Sequence, residues 1–249
     1  MPGNDEVSDR EPDLAPIGAL LGHPARAAML AALADGRALP AGELARRARI
    51  APATATAHLR QLVDGGLVSV RSQGRHRYHE LADPNVAAAL EAVAQIAPPV
   101  EVRSLRQDRD QRAIAEARTC YDHLAGRLGV ELRDRLLATG VVRFVGGRDH
   151  ELTDEGRTRI AELGIDVDEI ERSRRIFART CIDWTHRRPH LAGALPAAIT
   201  ARLLDLEWVT ATPGRGLRVA SDYEQHLNGW LPAPESVSDG QPYAPDRDR

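Results

Sequence analysis

One stretch constrains this chain more than any other: residues 41–81, AGELARRARIAPATATAHLRQLVDGGLVSVRSQGRHRYHEL. Pro52 and the Gly65-Gly66 pair bracket a segment of helical length. Proline suits a helix's first turn, where its missing N–H would go unpaired anyway, and a glycine readily takes the left-handed conformation that ends helices. Between them Ala55, Leu59, Leu62 and Val63 recur at helical spacing and predict one buried face. The opposite face presents Thr54, Thr56, His58, Arg60 and Gln61. Such short, polar and cationic side chains suit base edges and phosphates in a major groove. Ahead of this helix, Leu44 and Ala48 fall four apart on a shorter one. Behind it, Leu67, Val68 and Val70 alternate as a strand, Gln73-Gly74 turns, and Arg77 to Leu81 returns. The order predicts a helix-turn-helix followed by a two-stranded wing.

Charge is distributed to match. The whole chain carries a formal net charge of −3, which favours no partner. From Leu44 to Glu80, however, seven arginines face only Asp64 and Glu80, a local balance of +5. A basic patch in a mildly acidic chain is an electrostatic footprint for a polyanion. Arg75 and Arg77 on the hairpin are placed to hold backbone or enter a minor groove, with Arg60 and Arg71 as further contacts. The basic residues are all arginine, which leaves every phosphate contact to a forked guanidinium.

The run of Pro52, Thr54-x-Thr56-x-His58-Leu59, Gly65-Gly66-Leu67-Val68 and the wing Gly74-Arg75-His76-Arg77-Tyr78 resembles the winged helix-turn-helix of the ArsR/SmtB family of bacterial repressors. The resemblance covers residues 14–97. It implies a homodimer made by the first and last helices of that domain, a double-stranded DNA operator with inverted-repeat symmetry, and a cytoplasmic repressor. It also implies two places to look for a metal, and neither has the ligands. The helix before the turn, ELARRARI, has no cysteine where arsenic, cadmium or lead sensors carry thiolates. The helix after the wing has no histidine–aspartate set where zinc and nickel sensors carry theirs. Any inducer, metal or small molecule, is expected elsewhere; the cofactor is left unknown.

At 249 residues the chain is expected to hold two units. Residues 1–13 are polar and acidic and are expected to be disordered. A DNA-binding domain over 14–97 follows, with Ala28, Leu30, Ala31 and Leu33 facing inward on an early helix. Asp83 caps a last helix that begins at Pro84 and carries Val86, Leu90, Val93 and Ala97 in one stripe, read as a dimer face or an ordinary core face. A linker over 98–109, a C-terminal domain over 110–231 and a disordered tail over 232–249 complete the plan. There is no apolar run long enough to cross a bilayer and no signal peptide, so no membrane partner is expected.

The C-terminal domain contains a repeat. Ala117-Arg118-Thr119-Cys120-Tyr121-Asp122 recurs as Ala178-Arg179-Thr180-Cys181-Ile182-Asp183, and His123-Leu124-Ala125-Gly126 recurs as His190-Leu191-Ala192-Gly193 after an insertion of Trp184 to Pro189. From those histidines onward the copies align without gaps, Arg135-Leu136-Leu137 meeting Arg202-Leu203-Leu204. Each copy reads as a long helix, two short helices and a strand pair, a degenerate winged-helix unit without a polar recognition face. The fold class is therefore mainly α with small β-hairpins (α+β): a winged helix-turn-helix plus tandem degenerate winged-helix-like repeats.

In the repeats Cys120, Asp122 and His123 answer Cys181, Asp183 and His190, with His186 nearby, and this set is the candidate effector pocket. Thiolate, carboxylate and imidazole are all first-row metal ligands. Three readings of the cysteines stay open: buried structural thiols on a helical apolar stripe with Phe177 and Trp184, ligands of a metal or effector, or a redox pair. The aspartates have a ligand-free alternative, pairing with arginines or capping a helix. His186 to His190 forms a cationic corner suited to an anion, or merely a solvated helix end. The functional expectation is a DNA-binding regulator released by an effector in the repeats. Its competitors are a protein-interaction module with vestigial DNA binding and a cysteine–histidine enzyme. The chain lacks a Gly-x-Gly-x-x-Gly turn, a phosphate loop and a serine elbow, and duplication of the Cys–His pair suits a ligand role better than catalysis.

Overall fold

The computed structural model describes residues 11–102 and 104–233. Of the termini expected to be disordered, 1–13 and 232–249, residues 1–10 and 234–249 lie outside the described residues. Two compact units emerge. The first spans the chain up to Val100 with Thr119–Asp122 and Pro213–Arg215; the second takes Glu101–Arg118, His123–Thr212 and the chain from Gly216. Among the described residues no helix is long and apolar enough to cross a membrane.

In the first unit α1 (Ala15–Leu21) and α2 (Pro24–Leu33) lead to β1 (Leu39–Pro40), α3 (Ala41–Ala48) and α4 (Pro52–Asp64). A hairpin of β2 (Val68–Gln73) and β3 (His76–Leu81) follows, then α5 (Pro84–Ile96). The hairpin pairs Val68 with Leu81 and Gln73 with His76, and β1 adds a third strand by pairing Leu39 with His79. That short strand is absent from the sequence reading, because Pro40 reads only as a helix start. The core joins Met29, Leu30 and Leu33 of α2, Leu44 of α3, Ala55, Leu59 and Leu62 of α4, and Leu67, Val68 and Leu81 of the hairpin. Each fully buried leucine contributes about 1.5–3 kcal/mol. On α2 the inward face is Ala25, Met29, Leu30 and Leu33, while Ala31 is exposed. Leu30 and Leu33 face inward as expected and Ala28 is half-buried; the alanines were misassigned because they carry little amphipathic signal. Gly66, at φ 72°, supplies the left-handed turn that lets Leu67 re-enter this core.

In the second unit α6 (Leu105–Glu116) starts inside the stretch expected as a linker. Then come β4 (Arg118–Cys120), of which only Arg118 belongs to this unit, and β5 (His123–Ala125), α7 (Arg127–Ala138), β6 (Val142–Gly146), β7 (Asp149–Leu152), α8 (Asp154–Glu162) and α9 (Val167–Glu171). The second copy gives β8 (Arg179–Ile182), β9 (Pro189–Ala192), α10 (Ala194–Asp205), β10 (Val209–Ala211), β11 (Leu217–Val219) and α11 (Tyr223–Trp230). Each copy is thus hairpin, helix, hairpin, helix. The long opening helix expected over Cys120 and Cys181 is replaced by strands, and Phe177, Cys181 and Trp184 form no helical stripe. Runs of three or four residues show no period of their own; pairing with a neighbouring strand decides them.

The copies pack reciprocally: α7 of the first lies on β9 of the second, and α10 of the second on β5 of the first. Strands β6, β7, β8 and β9 form one four-stranded sheet, so both copies share a single core of Leu128, Leu136, Leu195, Ile199, Leu203 and Trp230. The shared His-Leu-Ala-Gly has a physical reason. Gly126 and Gly193 precede α7 and α10 at φ 80° and 118°, and a Cβ would stand 2.7 Å from the carbonyls of Ala115 and Ile176 respectively. Only glycine fits both demands.

Candidate nucleic-acid interface

Helix α4 stands on Ala55, Leu59 and Leu62, all buried, and this fixes which residues it turns to solvent. Thr54, Thr56, Arg60 and Gln61 are exposed. The Thr56 hydroxyl donates to the Pro52 carbonyl at 3.0 Å, which leaves its lone pairs outward. Arg60 is 83% exposed and lies 3.7 Å from Asp64, a surface pair weak enough to yield to a phosphate. His58 sits less far out than its spacing suggests. It is half-buried, its ring 4.3 Å from that of His23, and its Nδ1 is buried without a hydrogen-bond partner. His23 in turn caps α2, its Nδ1 accepting from the Ala25 amide at 3.2 Å. Burial, then the charges of His58 and Arg26, lowers the His23 pKa.

Sequence reading missed Arg26. Its Nε and Nη2 donate to the carbonyls of Leu20 and Ala19 at 2.8 and 2.7 Å, while Nη1 donates to Gln61 Oε1 at 2.7 Å. One guanidinium therefore ties α1 to α4 and orients the Gln61 amide. The contact spans 35 positions of sequence and left no local signal. On the wing, Arg75 and Arg77 are exposed at and beside the turn. Arg71 is 64% exposed and 4.0 Å from Glu80. His79 points inward, buried opposite Leu39 and Val70, and burial lowers its pKa.

The candidate effector residues separate into two groups. Cys120, His123, Cys181 and His190 are buried, and their ligand atoms converge. Asp183 and His186 do other work. Asp183 is fully buried 2.8 Å from Arg118 Nη2, itself fully buried, and accepts from the amides of Gly126, Thr185 and His186 at 2.7, 2.9 and 2.8 Å and from the Thr185 hydroxyl. Arg118 also lies over the Trp184 ring at 4.5 Å. Burial would raise the Asp183 carboxyl, but Arg118, the Thr185 hydroxyl and those amides bring it down to about 2. It is an anchor for two turns and is removed from the effector set. His186 is exposed, its Nε2 2.9 Å from the Ala115 carbonyl, and Asp122 is half-buried in the turn between β4 and β5. The cationic corner at 186–190 is no helix end; it connects β8 to β9. It borders a cleft of roughly 350 Å³ over α7, but Arg188 there pairs with Asp134, and Arg127 and Arg135 with Glu131. That pairing leaves little positive charge for an anion.

Residues 21–71 match the family model described as a helix-turn-helix domain. The HTH-type transcriptional regulator YdfF of Bacillus subtilis (strain 168) is 42% identical over 222 residues, 87% of this chain and 98% of that protein. The HTH-type transcriptional regulator CmtR of Mycobacterium tuberculosis (strain ATCC 25618 / H37Rv) is 36% identical over 107 residues, covering 43% of this chain and 84% of that protein. Among solved structures, the homodimeric winged helix-turn-helix DNA-binding domain Mb0332 from Mycobacterium bovis, a possible ArsR-family transcriptional regulator, is 31% identical. It covers 33% of this chain and 75% of that one, with a TM-score of 0.31.

Proposed function

Because this chain belongs to the HTH-type transcriptional regulators, we propose that it acts in the cytoplasm as a homodimeric, non-catalytic repressor of the ArsR/SmtB type. It reads an inverted-repeat operator and is released by an effector held in its C-terminal half. One observation carries the DNA contacts: a helix fixed from behind by Ala55, Leu59 and Leu62 presents Thr54, Thr56, Arg60 and Gln61 to solvent beside a wing tipped by Arg75 and Arg77. In this reading α4 enters the major groove, Arg60 and Gln61 contact base edges or phosphates, and the wing arginines hold backbone. His58 acts from the edge of that face, and Arg71 adds a phosphate contact.

Dimerisation is supported by α5. Val86 and Leu90 of its stripe pack against the unit's core, but Val93 is 45% exposed, Ile96 beside it 85%, and Leu14 before α1 74%. Two recognition helices related by a two-fold axis call for half-sites about one helical turn, or a multiple of it, apart.

The test is operator selection followed by binding measured against salt. Arg60→Ala should weaken the selected operator by about 1–3 kcal/mol and relax preference at one position of each half-site. Arg75→Ala with Arg77→Ala should weaken all DNA alike and reduce the salt slope by roughly one per lost phosphate contact. Affinity independent of salt, with no enriched sequence, would overturn the reading in favour of a protein-interaction module.

A further inference from the structure

The two copies of the repeat each bring a cysteine opposite a histidine. In the second copy Cys181 and His190 are direct partners in the antiparallel ladder of β8 and β9, where directly opposed side chains stand on the same face of the sheet. In the first copy Cys120 ends β4 and His123 begins β5, so the hairpin's own turn brings them together. Reciprocal packing of the copies then sets His123 Nε2 3.2 Å from His190 Nε2, with the rings stacked at a centroid distance of 5.1 Å. One ligand atom from each of the four residues lies within 4.8 Å of every other. All four are buried, at 2% (Cys120), 5% (His123), 9% (Cys181) and 0% (His190) exposure.

We propose that Cys120, His123, Cys181 and His190 bind one thiophilic divalent cation of the zinc class, each copy of the repeat supplying a thiolate and an imidazole. Four observations support this assignment. Tetrahedral coordination at a metal–nitrogen distance of about 2.0–2.1 Å sets two nitrogen ligands roughly 3.3 Å apart, and the two Nε2 atoms stand at 3.2 Å. Two neutral imidazoles meeting through Nε2 share one proton at most, whereas a cation accepts both lone pairs. Two thiolates balance a divalent cation, so the filled site is neutral and suits its buried position; a monovalent ion would leave a net negative charge there. Thiolate and imidazole together select zinc-like ions over the hard cations that prefer oxygen. A disulfide between the cysteines would account for the sulfurs but not for two histidines converging on them. With four protein ligands the site is closed, the form of structural and sensing zinc centres rather than catalytic ones.

The experiment uses the full chain, reduced and stripped by chelator, titrated with cobalt(II) alone and then with zinc. This readout does not involve DNA, so it fails or succeeds independently of the operator reading. The expected result is one cobalt per chain with tetrahedral visible bands and thiolate-to-metal absorption, displaced by one zinc. Cys181→Ser and His190→Asn should each weaken uptake beyond the about 10–100-fold typical of outer-shell partners. Their near-ultraviolet circular dichroism shows whether the second unit is still folded. In the parent protein, absence of these bands while both thiols stay reactive before and after zinc overturns the site. So does a chain that oxidises to an internal disulfide and, once reduced, takes up no metal.

Discussion

Asp183→Asn should destabilise the second unit more than its single-atom change suggests. The carboxylate and the Arg118 guanidinium are both fully buried, 2.8 Å apart. Neutralising one partner leaves the other charge in the interior, which costs about 3–5 kcal/mol. The asparagine amide also presents N–H groups toward donors, the Gly126 amide and Arg118, that its predecessor accepted. Linkage gives a second estimate. A carboxyl held at about 2 in the folded protein, against about 3.9 unfolded, is worth roughly 2–3 kcal/mol at neutral pH. The folded value is the depressed one, so this stability is present above pH ~4–5 and is lost as pH falls through the folded value, about half of it by pH ~3.

The assay is guanidinium unfolding followed by tryptophan fluorescence. Trp184, Trp208 and Trp230 are the only tryptophans in the chain and all belong to the second unit, so the signal reports that unit alone. The variant should lose about 3 kcal/mol at pH 7, and the difference from the parent should shrink as the pH is lowered toward 3. A loss under ~1 kcal/mol, or a difference that does not change with pH, refutes the account of Asp183 as a buried anchor.

Val93→Asp with Ile96→Asp should raise the dimer dissociation constant at least tenfold, about 1.4 kcal/mol, without lowering helix content. Sedimentation velocity against concentration reads the first and far-ultraviolet circular dichroism the second; an unchanged dimer would send the search for the interface elsewhere. His150 is buried against Phe144, its pKa lowered by burial first and by Arg133 second. Its folded value lies below the ordinary one near 6.5, so its effect on stability is most favourable above that pH and declines as the imidazole is forced to take up a proton. His150→Leu should therefore flatten the stability profile of the second unit between pH 7 and 5, read by the same fluorescence; a profile that keeps its slope would assign that slope to other groups.

The sequence by itself determined the first unit's plan. Pro52, the Gly65-Gly66 exit and the spacing of Ala55, Leu59 and Leu62 are local signals, and the helix, turn and hairpin they predict are the ones observed. It also pointed to a unit held twice within residues 110–231, and Gly126 and Gly193 recur for a steric reason that both copies obey. Tertiary structure decided the rest. The segments around Cys120 and Cys181 became strands because hairpin pairing, not local period, governs runs that short. The turn of His58 toward His23 and the grip of Arg26 on Gln61 depend on how α2 meets α4. Among the polar residues shared by the two copies, sequence alone had no means of dividing anchors from ligands. Asp183 left the effector set because Arg118 and the turn amides satisfy its carboxylate. The cysteines and histidines were gathered because the two copies pack reciprocally and turn their Cys–His pairs inward together. Convergence of this kind is a property of three-dimensional packing, which residue spacing along the chain does not encode.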